Sequence, residues 1–272
     1  MVTASGWSAA NAEKIESSTK KDQLRELSVK CDLPAIPEIS TKRLSGCGSA
    51  TLLQDGDEDL RRSTVLFRIN PTDAKISDGN RAELRHLHEA VNGEEIWYRI
   101  STKLPVGFPI ENKHRLVLSQ WHERTNEGER SLRPPLSHRL WDGRFVVTLW
   151  NQDRIDRLGI EGDGEILFEI PKFEIGVYYD FVYKFVWSPD KDGQIVGWMR
   201  KCETGQPTCE DAPWEKIIQY QGPNGYDDIV GYYFKYGLYT VSEFDTTFTA
   251  YHRDYRAGPS AQEIGLTDPE FQ

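Results

Sequence analysis

The spacing of apolar residues after residue 63 constrains the fold more than any other feature of this sequence. From Ser63 onward the chain consists of short apolar or alternating runs separated by Gly, Pro, Asn and Asp. This is the pattern of β-strands joined by turns. Few windows in the same stretch have the spacing of an amphipathic helix. We therefore predict an all-β fold, a β-jelly roll in which two antiparallel sheets pack as a sandwich.

The predicted strands follow one another at short intervals. They cover residues 64–69, 81–86, 95–102, 115–122, 144–151, 165–170, 179–187, 195–200, 216–220, 232–240 and 246–252. Turn signals separate them, most clearly at Asp78-Gly79-Asn80 and at Pro223-Asn224-Gly225. A chain of 272 residues is long enough for one large β-core and short for two, so we expect one principal domain.

The two ends of the chain lack this strand pattern. Residues 1–45 are polar, with some apolar residues at helical spacing and then Pro34 and Pro37. We predict an N-terminal extension over 1–45 that is partly helical or a linker. The β-jelly-roll domain is expected over 46–260 and a C-terminal tail over 261–272.

The charge of the chain excludes one class of partner. The net charge is -10 at pH 7, and nucleic-acid binding needs clustered Lys and Arg, so no nucleic-acid partner is expected. A polyanionic substrate would need a local basic groove. No apolar run reaches the length of about 18 residues that a membrane span requires, and no signal-peptide stretch is visible at the start. We expect no membrane association.

Four cysteines, Cys31, Cys47, Cys202 and Cys209, have spacings unlike any zinc site. Two interpretations stay open. A Cys202–Cys209 disulfide would place the protein in an oxidising compartment, whereas four reduced thiols would place it in the cytoplasm. We favour a secreted or periplasmic protein, with a leader not visible in this sequence, over a cytoplasmic one.

Three predicted strands each carry polar side chains on one face, because residues two apart in a strand point the same way. The residues that share a face are Arg81, Glu83 and Arg85 in the first strand, Leu118, Gln120 and His122 in the second, and Tyr233, Lys235, Gly237 and Tyr239 in the third. Taken singly, each set has an ordinary explanation. The alternating charges could be sheet-surface pairs, and Gly237 could mark either the close approach of a ligand or a bulge.

Taken together and in this order, the three motifs resemble a known family. Arg-x-Glu-Leu-Arg at 81–85, Gln-x-His at 120–122 and Tyr-Phe-Lys-x-Gly-x-Tyr at 233–239 are similar to the signature of the jelly-roll polysaccharide lyases, which include alginate lyases, heparin lyase I and glucuronan lyases. Residues 93–99 and 251–258 look more like the heparin lyase I and glucuronan lyase branch. Trp121 departs from the alginate lyases, which usually have Ile or Val there. The resemblance covers roughly residues 63–258.

The resemblance implies β-elimination on a uronic-acid polymer and assigns roles to the motif residues. Tyr239 and His122 would be the acid and base, while Gln120 together with a cation, Arg81 or Arg85, would neutralise the substrate carboxylate. The residues expected to bind substrate are Arg85, Lys235, Tyr233 and Glu83. If the C5 hydrogen and O4 lie on one side of the sugar, Tyr239 handles both protons. If they lie on opposite sides, His122 is the base and Tyr239 the acid.

The substrate is expected to be an acidic polysaccharide. A compact, acidic chain favours an unsulfated polymer, a glucuronan-like β-1,4-polyglucuronate, over the sulfated substrates of heparin lyases. The alternatives are an alginate or heparin-type lyase and a non-catalytic carbohydrate-binding jelly roll. We expect a monomer, no required cofactor and no metal site, with a structural calcium ion left open. The acidic stretch 55–59 lacks the ligand spacing of an EF-hand and is interpreted as a solvated turn.

Overall fold

A computed structural model describes residues 33, 39–46, 48–53, 63–87, 90–111, 113–129, 131–159, 162–204, 206, 209–227 and 229–271. The strands are β1 (Ile39–Leu44), β2 (Ala50–Leu52), β3 (Val65–Ile69), β4 (Asn80–His86), β5 (Glu95–Lys103), β6 (Arg115–Thr125), β7 (Leu136–Trp141), β8 (Arg144–Leu149), β9 (Glu165–Ile170), β10 (Tyr179–Val186), β11 (Gln194–Lys201), β12 (Glu215–Gln221), β13 (Ile229–Thr240) and β14 (Phe248–Gly258). A short helix, α1 (Gln152–Leu158), and a 3-10 turn at Pro269–Phe271 complete the elements.

These strands form two antiparallel sheets. The first sheet has the order β1-β4-β13-β6-β7-β8-β9, and the second has the order β12-β11-β10-β5-β14-β3-β2. Some neighbours, such as β4 and β13, are distant in sequence, and others, such as β7 and β8, are joined by a short turn. The all-β, two-sheet prediction is confirmed.

Aromatic side chains fill the space between the two sheets. Trp121 of the first sheet meets Tyr183 and Phe185 of the second, with ring centroids 5.1 Å apart in both contacts. His138 lies fully buried among them and bonds the Tyr183 hydroxyl at 2.8 Å. Burial lowers the pKa of His138 to about 3, so this histidine is a neutral member of the core.

Three strands were not predicted from the sequence. β1 pairs with β4 and buries Ile39 and Leu44, so the first sheet starts inside the segment expected to be an extension. β1 and β7 were not predicted because polar residues interrupt the alternation of apolar and polar side chains in these strands. In β7 the buried His138 stands where an apolar residue was expected. The predicted N-terminal helix lies outside the described residues.

The predicted C-terminal tail packs against the sandwich. Ala261, Ile264, Leu266 and Phe271 form a small apolar cluster with Trp97, Val182 and Trp198 of the second sheet. The side chain of Phe271 meets Trp198 edge-on at a centroid distance of 5.1 Å. The segment therefore covers the outer face of the second sheet.

Because of a bulge between β6 and β13, the prediction that Leu118 shares a face with Gln120 is wrong. The register shifts so that Tyr236 lies opposite Ser119 while Tyr239 lies opposite Val117. Leu118 therefore points into the core rather than sharing a face with Gln120. Gly237 sits in this bulge with φ of +139°, and a side chain there would collide with the carbonyl oxygen of Ala82. β4 approaches so closely here that position 237 has no room for a side chain.

Cys202 and Cys209 form a disulfide. Cys31 and Cys47 lie outside the described residues. Within the part of the chain that the structure describes, no helix is both long and apolar enough to cross a membrane.

Candidate active site

A cavity of about 390 Å³ lies on the face of the first sheet that is turned away from the core. Five of the predicted site residues line it, namely Arg81, Gln120, His122, Lys235 and Tyr239. They come from β4, β6 and β13, which are neighbours in the sheet. The structure thus brings together residues from all three sequence motifs.

Cross-strand pairing sets the geometry of this cavity. One row across the sheet runs from Lys235 to Gln120 and on to Ser137. A second row runs from Tyr239 to Val117 and on to Arg139. Facing residues on neighbouring strands lie about 5 Å apart, so each row of three residues spans about 10 Å across the sheet.

The carboxylate of Glu83 organises three of these residues. Glu83 Oε2 accepts a hydrogen bond from Arg81 Nη1 at 3.0 Å, and its Oε1 accepts one from Gln120 Nε2 at 2.5 Å. Lys235 Nζ lies 3.9 Å from the same carboxylate. Glu83 is 1% exposed and does not line the cavity. Its oxygens are turned to its neighbours rather than to the cavity, and its contact with the substrate stays a prediction.

Lys235 is a cation held in a nearly dry environment. Burial lowers the pKa of Lys235 to about 8, an effect that the charge of Glu83 opposes and those of Arg81, Arg43 and Arg85 reinforce. A lysine with this pKa gains or loses its charge within the range in which enzymes are commonly assayed.

Tyr239 stands at the end of β13 with its ring held on two sides. The guanidinium carbon of Arg81 lies 3.9 Å from the ring centroid. On another side the ring packs on Gly79, where an added Cβ would collide with ring carbon Cε2. Both contacts restrict the direction in which the phenol hydroxyl enters the cavity.

His122 is oriented by the residue that follows it. Its Nδ1 lies 2.8 Å from Oε2 of Glu123, whose side chain is fully buried. Glu123 is itself fixed through Oε1, which accepts hydrogen bonds from Ser131 Oγ at 3.0 Å and from the Leu132 amide at 2.5 Å. Nδ1 also lies within hydrogen-bonding distance, 3.2 Å, of the backbone carbonyl oxygen of Glu123. With Nδ1 turned to Glu123, Nε2 is the ring nitrogen left for chemistry in the cavity.

The two remaining predicted residues lie in a neighbouring pocket. Arg85 and Tyr233 line a space of about 530 Å³, and the Arg85 guanidinium carbon lies 3.7 Å from the Tyr233 ring centroid. Tyr233 also stacks on His122, with centroids 5.6 Å apart and planes 8° from parallel. This stacked pair separates the pocket from the main cavity, so the two spaces adjoin along the sheet.

The cavity is basic although the protein is acidic. Its described lining carries five Arg and Lys side chains, those of Arg81, Arg115, Arg133, Arg139 and Lys235. Asp163 is the one carboxylate among the described lining residues, and both its oxygens accept hydrogen bonds from Arg115. The sheet therefore has the local basic groove that a polyanionic ligand needs.

Several lining residues were missed by the sequence motifs. They are Arg115, Arg133, Arg139, Trp141 and Trp150. Arg139 and Trp141 belong to β7, a strand that the sequence did not reveal. The rings of Trp141 and Trp150 are of the kind that can stack on sugar rings.

One group of potential metal ligands occurs among the described residues. Asp180, Cys202 and Cys209 lie close enough to share an ion, but the two sulfurs are joined in the disulfide and are not thiolates. The acidic stretch 55–59 lies outside the described residues. The expectation about calcium stays a prediction.

Comparisons with known proteins agree with this architecture. A family model described as polysaccharide lyase matches residues 3–256. The crystal structure of endo-β-1,4-glucuronan lyase from the fungus Trichoderma reesei superposes with a TM-score of 0.60 at 13% identity, covering 86% of this chain and 95% of that chain. A search of curated proteins gave no match.

Two further solved structures are similar to this chain. The catalytic domain of the glycoside hydrolase family 131 protein from Coprinopsis cinerea has a TM-score of 0.55 at 10% identity, covering 89% of this chain and 92% of that chain. The alginate lyase AlgAT5 from polysaccharide lyase family 7 has a TM-score of 0.47 at 17% identity, covering 77% and 81%. At these identities the likenesses concern the fold alone.

Proposed function

This chain belongs to the polysaccharide lyase family, and from that premise we propose that the cavity on its first sheet cleaves a uronic-acid polymer by β-elimination. The observation that carries the proposal is the convergence of Gln120, His122 and Tyr239 in one cavity rich in cations. The products would be chains with unsaturated uronate ends.

The chemical obstacle in this reaction is removal of the proton on C5, next to a carboxylate that resists a second negative charge. Gln120 lies in the cavity with its amide held by Glu83. A hydrogen bond from Gln120 to the substrate carboxylate would strengthen as charge develops on the enolate-like intermediate, which is the condition for catalysis. Arg81, anchored by the same Glu83, adds positive charge beside it.

Tyr239 and His122 are the residues proposed to move protons. For a glucuronate, C5–H and O4 lie on one side of the ring, and Tyr239 would take the first proton and return one to the leaving oxygen. His122, oriented by Glu123, would then help to hold the carboxylate. For a guluronate or iduronate, His122 would be the base and Tyr239 the acid.

The number and positions of the carboxylates at the site do not fit a glycoside hydrolase mechanism. Glycoside hydrolases generally use a pair of Asp or Glu side chains flanking the scissile bond. Of the described residues lining the cavity, Asp163 alone is acidic, and Arg115 holds it. Glu83 is buried beneath Arg81 and Gln120. The arrangement therefore supports elimination rather than the chemistry of the glycoside hydrolase that shares the fold.

A glucuronan-like β-1,4-polyglucuronate is the substrate we favour. The fold resembles that of a glucuronan lyase, and Trp121 replaces the aliphatic residue usual in alginate lyases. Five cations in a modest cavity suit a polymer with one carboxylate per sugar better than a heavily sulfated chain. Alginate and heparin-type polymers are the competing substrates.

A substrate panel tests this proposal directly. Glucuronan, alginate, heparin and hyaluronan are incubated with the protein, and unsaturated uronate ends are followed by their ultraviolet absorbance. We expect the largest rate on glucuronan. A larger rate on another polymer would reassign the substrate, and no activity on any polyuronate, with retained binding, would favour a non-catalytic carbohydrate-binding jelly roll.

We also propose that the protein works as a monomer in a secreted or periplasmic setting. The disulfide between Cys202 and Cys209 supports an oxidising compartment, since intracellular thiols normally stay reduced. Size-exclusion chromatography with light scattering would test the monomer, and thiol labelling of the natively purified protein would test the disulfide.

A further inference from the structure

Arg139 differs from Arg81, Arg115 and Lys235 of the same cavity in how its charge is used. Arg81 and Lys235 share the carboxylate of Glu83, and Arg115 is engaged by both oxygens of Asp163. Among the described residues, no carboxylate lies within ion-pair distance of Arg139. Its guanidinium is therefore available to an external anion.

Two hydroxyl groups orient the guanidinium of Arg139. Its Nε donates to Ser137 Oγ at 3.0 Å and to Thr148 Oγ1 at 3.1 Å. Both hydroxyls are buried, and they lie 3.2 Å from each other. With Nε directed into the sheet, the donors on the terminal nitrogens remain for the cavity, and they form a fork that matches a carboxylate.

The position of Arg139 relative to Tyr239 suits the binding of a sugar unit between them. The two residues belong to one row across the sheet, with only Val117 of β6 between them. Their Cα atoms are two strand spacings apart, about 10 Å, and both side chains line the cavity. The separation leaves room for one sugar unit between the phenol and the guanidinium.

The electrostatic surroundings of Arg139 would stabilise an anion bound beside it. Burial, reinforced by repulsion from Arg133 and Arg115 and opposed by attraction to Asp163 and Tyr239, lowers the pKa of Arg139 to about 10. A charge that is desolvated without an ionic partner is stabilised by any anion that enters beside it.

We propose that Arg139 binds a uronate carboxylate of the substrate beside Tyr239, as a cation of the cavity that no described carboxylate neutralises. This assignment rests on the proposed function and refines it, because the sequence motifs had given carboxylate recognition to Arg81 or Arg85. Arg81 then acts mainly through its contacts with Glu83 and the Tyr239 ring.

The test measures binding separately from turnover. In a Tyr239→Phe background, affinity for oligosaccharides of the polyuronate that the unmodified protein cleaves, or of polyglucuronate if it cleaves none, is determined by calorimetric titration. Adding Arg139→Gln should weaken binding about 10- to 100-fold, the usual effect of losing a charge-assisted hydrogen bond. Arg139→Lys, which keeps a cation, should recover part of the loss.

Controls distinguish a binding role from a structural one. Arg68→Gln removes an exposed arginine from β3 of the second sheet and should leave affinity unchanged. The loss caused by Arg139→Gln should shrink as salt is raised, because screening weakens charge interactions. Affinity within twofold of the background, or a loss that is independent of salt and accompanied by a lower Tm, would overturn the inference.

Failure of this inference and failure of the proposed function are distinguishable. If the unmodified protein releases no unsaturated ends, the lyase proposal fails, whatever the affinity of the Arg139 variants. If elimination is observed and Arg139→Gln binds normally, the lyase proposal stands and the role of Arg139 is refuted.

Discussion

Gln120 Nε2 donates a 2.5 Å hydrogen bond to Oε1 of Glu83, so a buried carboxylate outside the cavity lining fixes the amide proposed to contact the substrate. Gln120 and Glu83 stand on strands separated by β13, and their contact passes beside Lys235. The site therefore consists of residues that line the cavity, such as Gln120, and a buried anion, Glu83, that holds them in place.

Glu83→Gln should destabilise the protein by about 3–5 kcal/mol, because it removes the negative charge from a buried cluster and leaves Arg81 and Lys235 uncompensated. Chemical denaturation measures the change. Glu169→Gln, which breaks a partly exposed pair with Arg144, should cost less than about 1 kcal/mol. Equal costs in the two variants would contradict an anchoring role for Glu83.

Gln120→Ala should reduce kcat by about 10²- to 10³-fold and change KM much less, because the amide is proposed to bind most strongly as charge develops. Steady-state rates of formation of unsaturated ends give both constants. A rise in KM with unchanged kcat would show that Gln120 contributes only to ground-state binding.

Tyr239→Phe removes a hydroxyl while leaving the ring between Arg81 and Gly79. Loss of one acid–base group costs about 10²- to 10⁴-fold in rate, so elimination should nearly vanish while affinity for the polymer persists. Tyr251→Phe, on β14 of the second sheet, is the matched control and should retain full activity. Unchanged elimination in Tyr239→Phe would remove this tyrosine from the mechanism.

The titration of Lys235 predicts how binding depends on pH. With a pKa of about 8, Lys235 is charged below that pH and neutral above it, so the cavity loses one cation as pH rises. KM for the polyuronate should increase by about fivefold above pH 8, the difference between a charged and a neutral hydrogen bond. In Lys235→Arg, which stays charged, this rise should be absent, and its persistence there would assign it to another group.

The lowered pKa of Lys235 also makes the stability of the folded protein depend on pH. Because the pKa of Lys235 is lower in the folded protein than the ordinary value of 10.5, the unfolded chain binds more protons between about pH 8 and 10.5. The contribution of this lysine to the free energy of unfolding therefore increases with pH across that window. Comparing Lys235→Arg with the unmodified protein in denaturation at both ends of the window measures it.

Local periodicity was enough to predict most strands, since inward and outward residues alternate wherever a strand is regular. β9 (Glu165–Ile170) has the predicted bounds, and the core residues of β13, such as Phe234 and Tyr236, lie on the expected face. Prediction failed where alternation was broken, as at Leu118 in the bulge and at His138 in β7. The roles of the predicted site residues stay predictions.

The sequence by itself determined the strand pattern and the three polar faces that carry Arg81, Gln120 and Tyr239, because a face depends only on the two-residue repeat of a strand. Tertiary structure decided which charges are neutralised and which are free. Glu83 became a buried anchor and Arg139 an open cation only after β4, β13, β6 and β7 were aligned side by side. Ion pairing depends on distances between strands that are remote in sequence, and no local pattern encodes those distances.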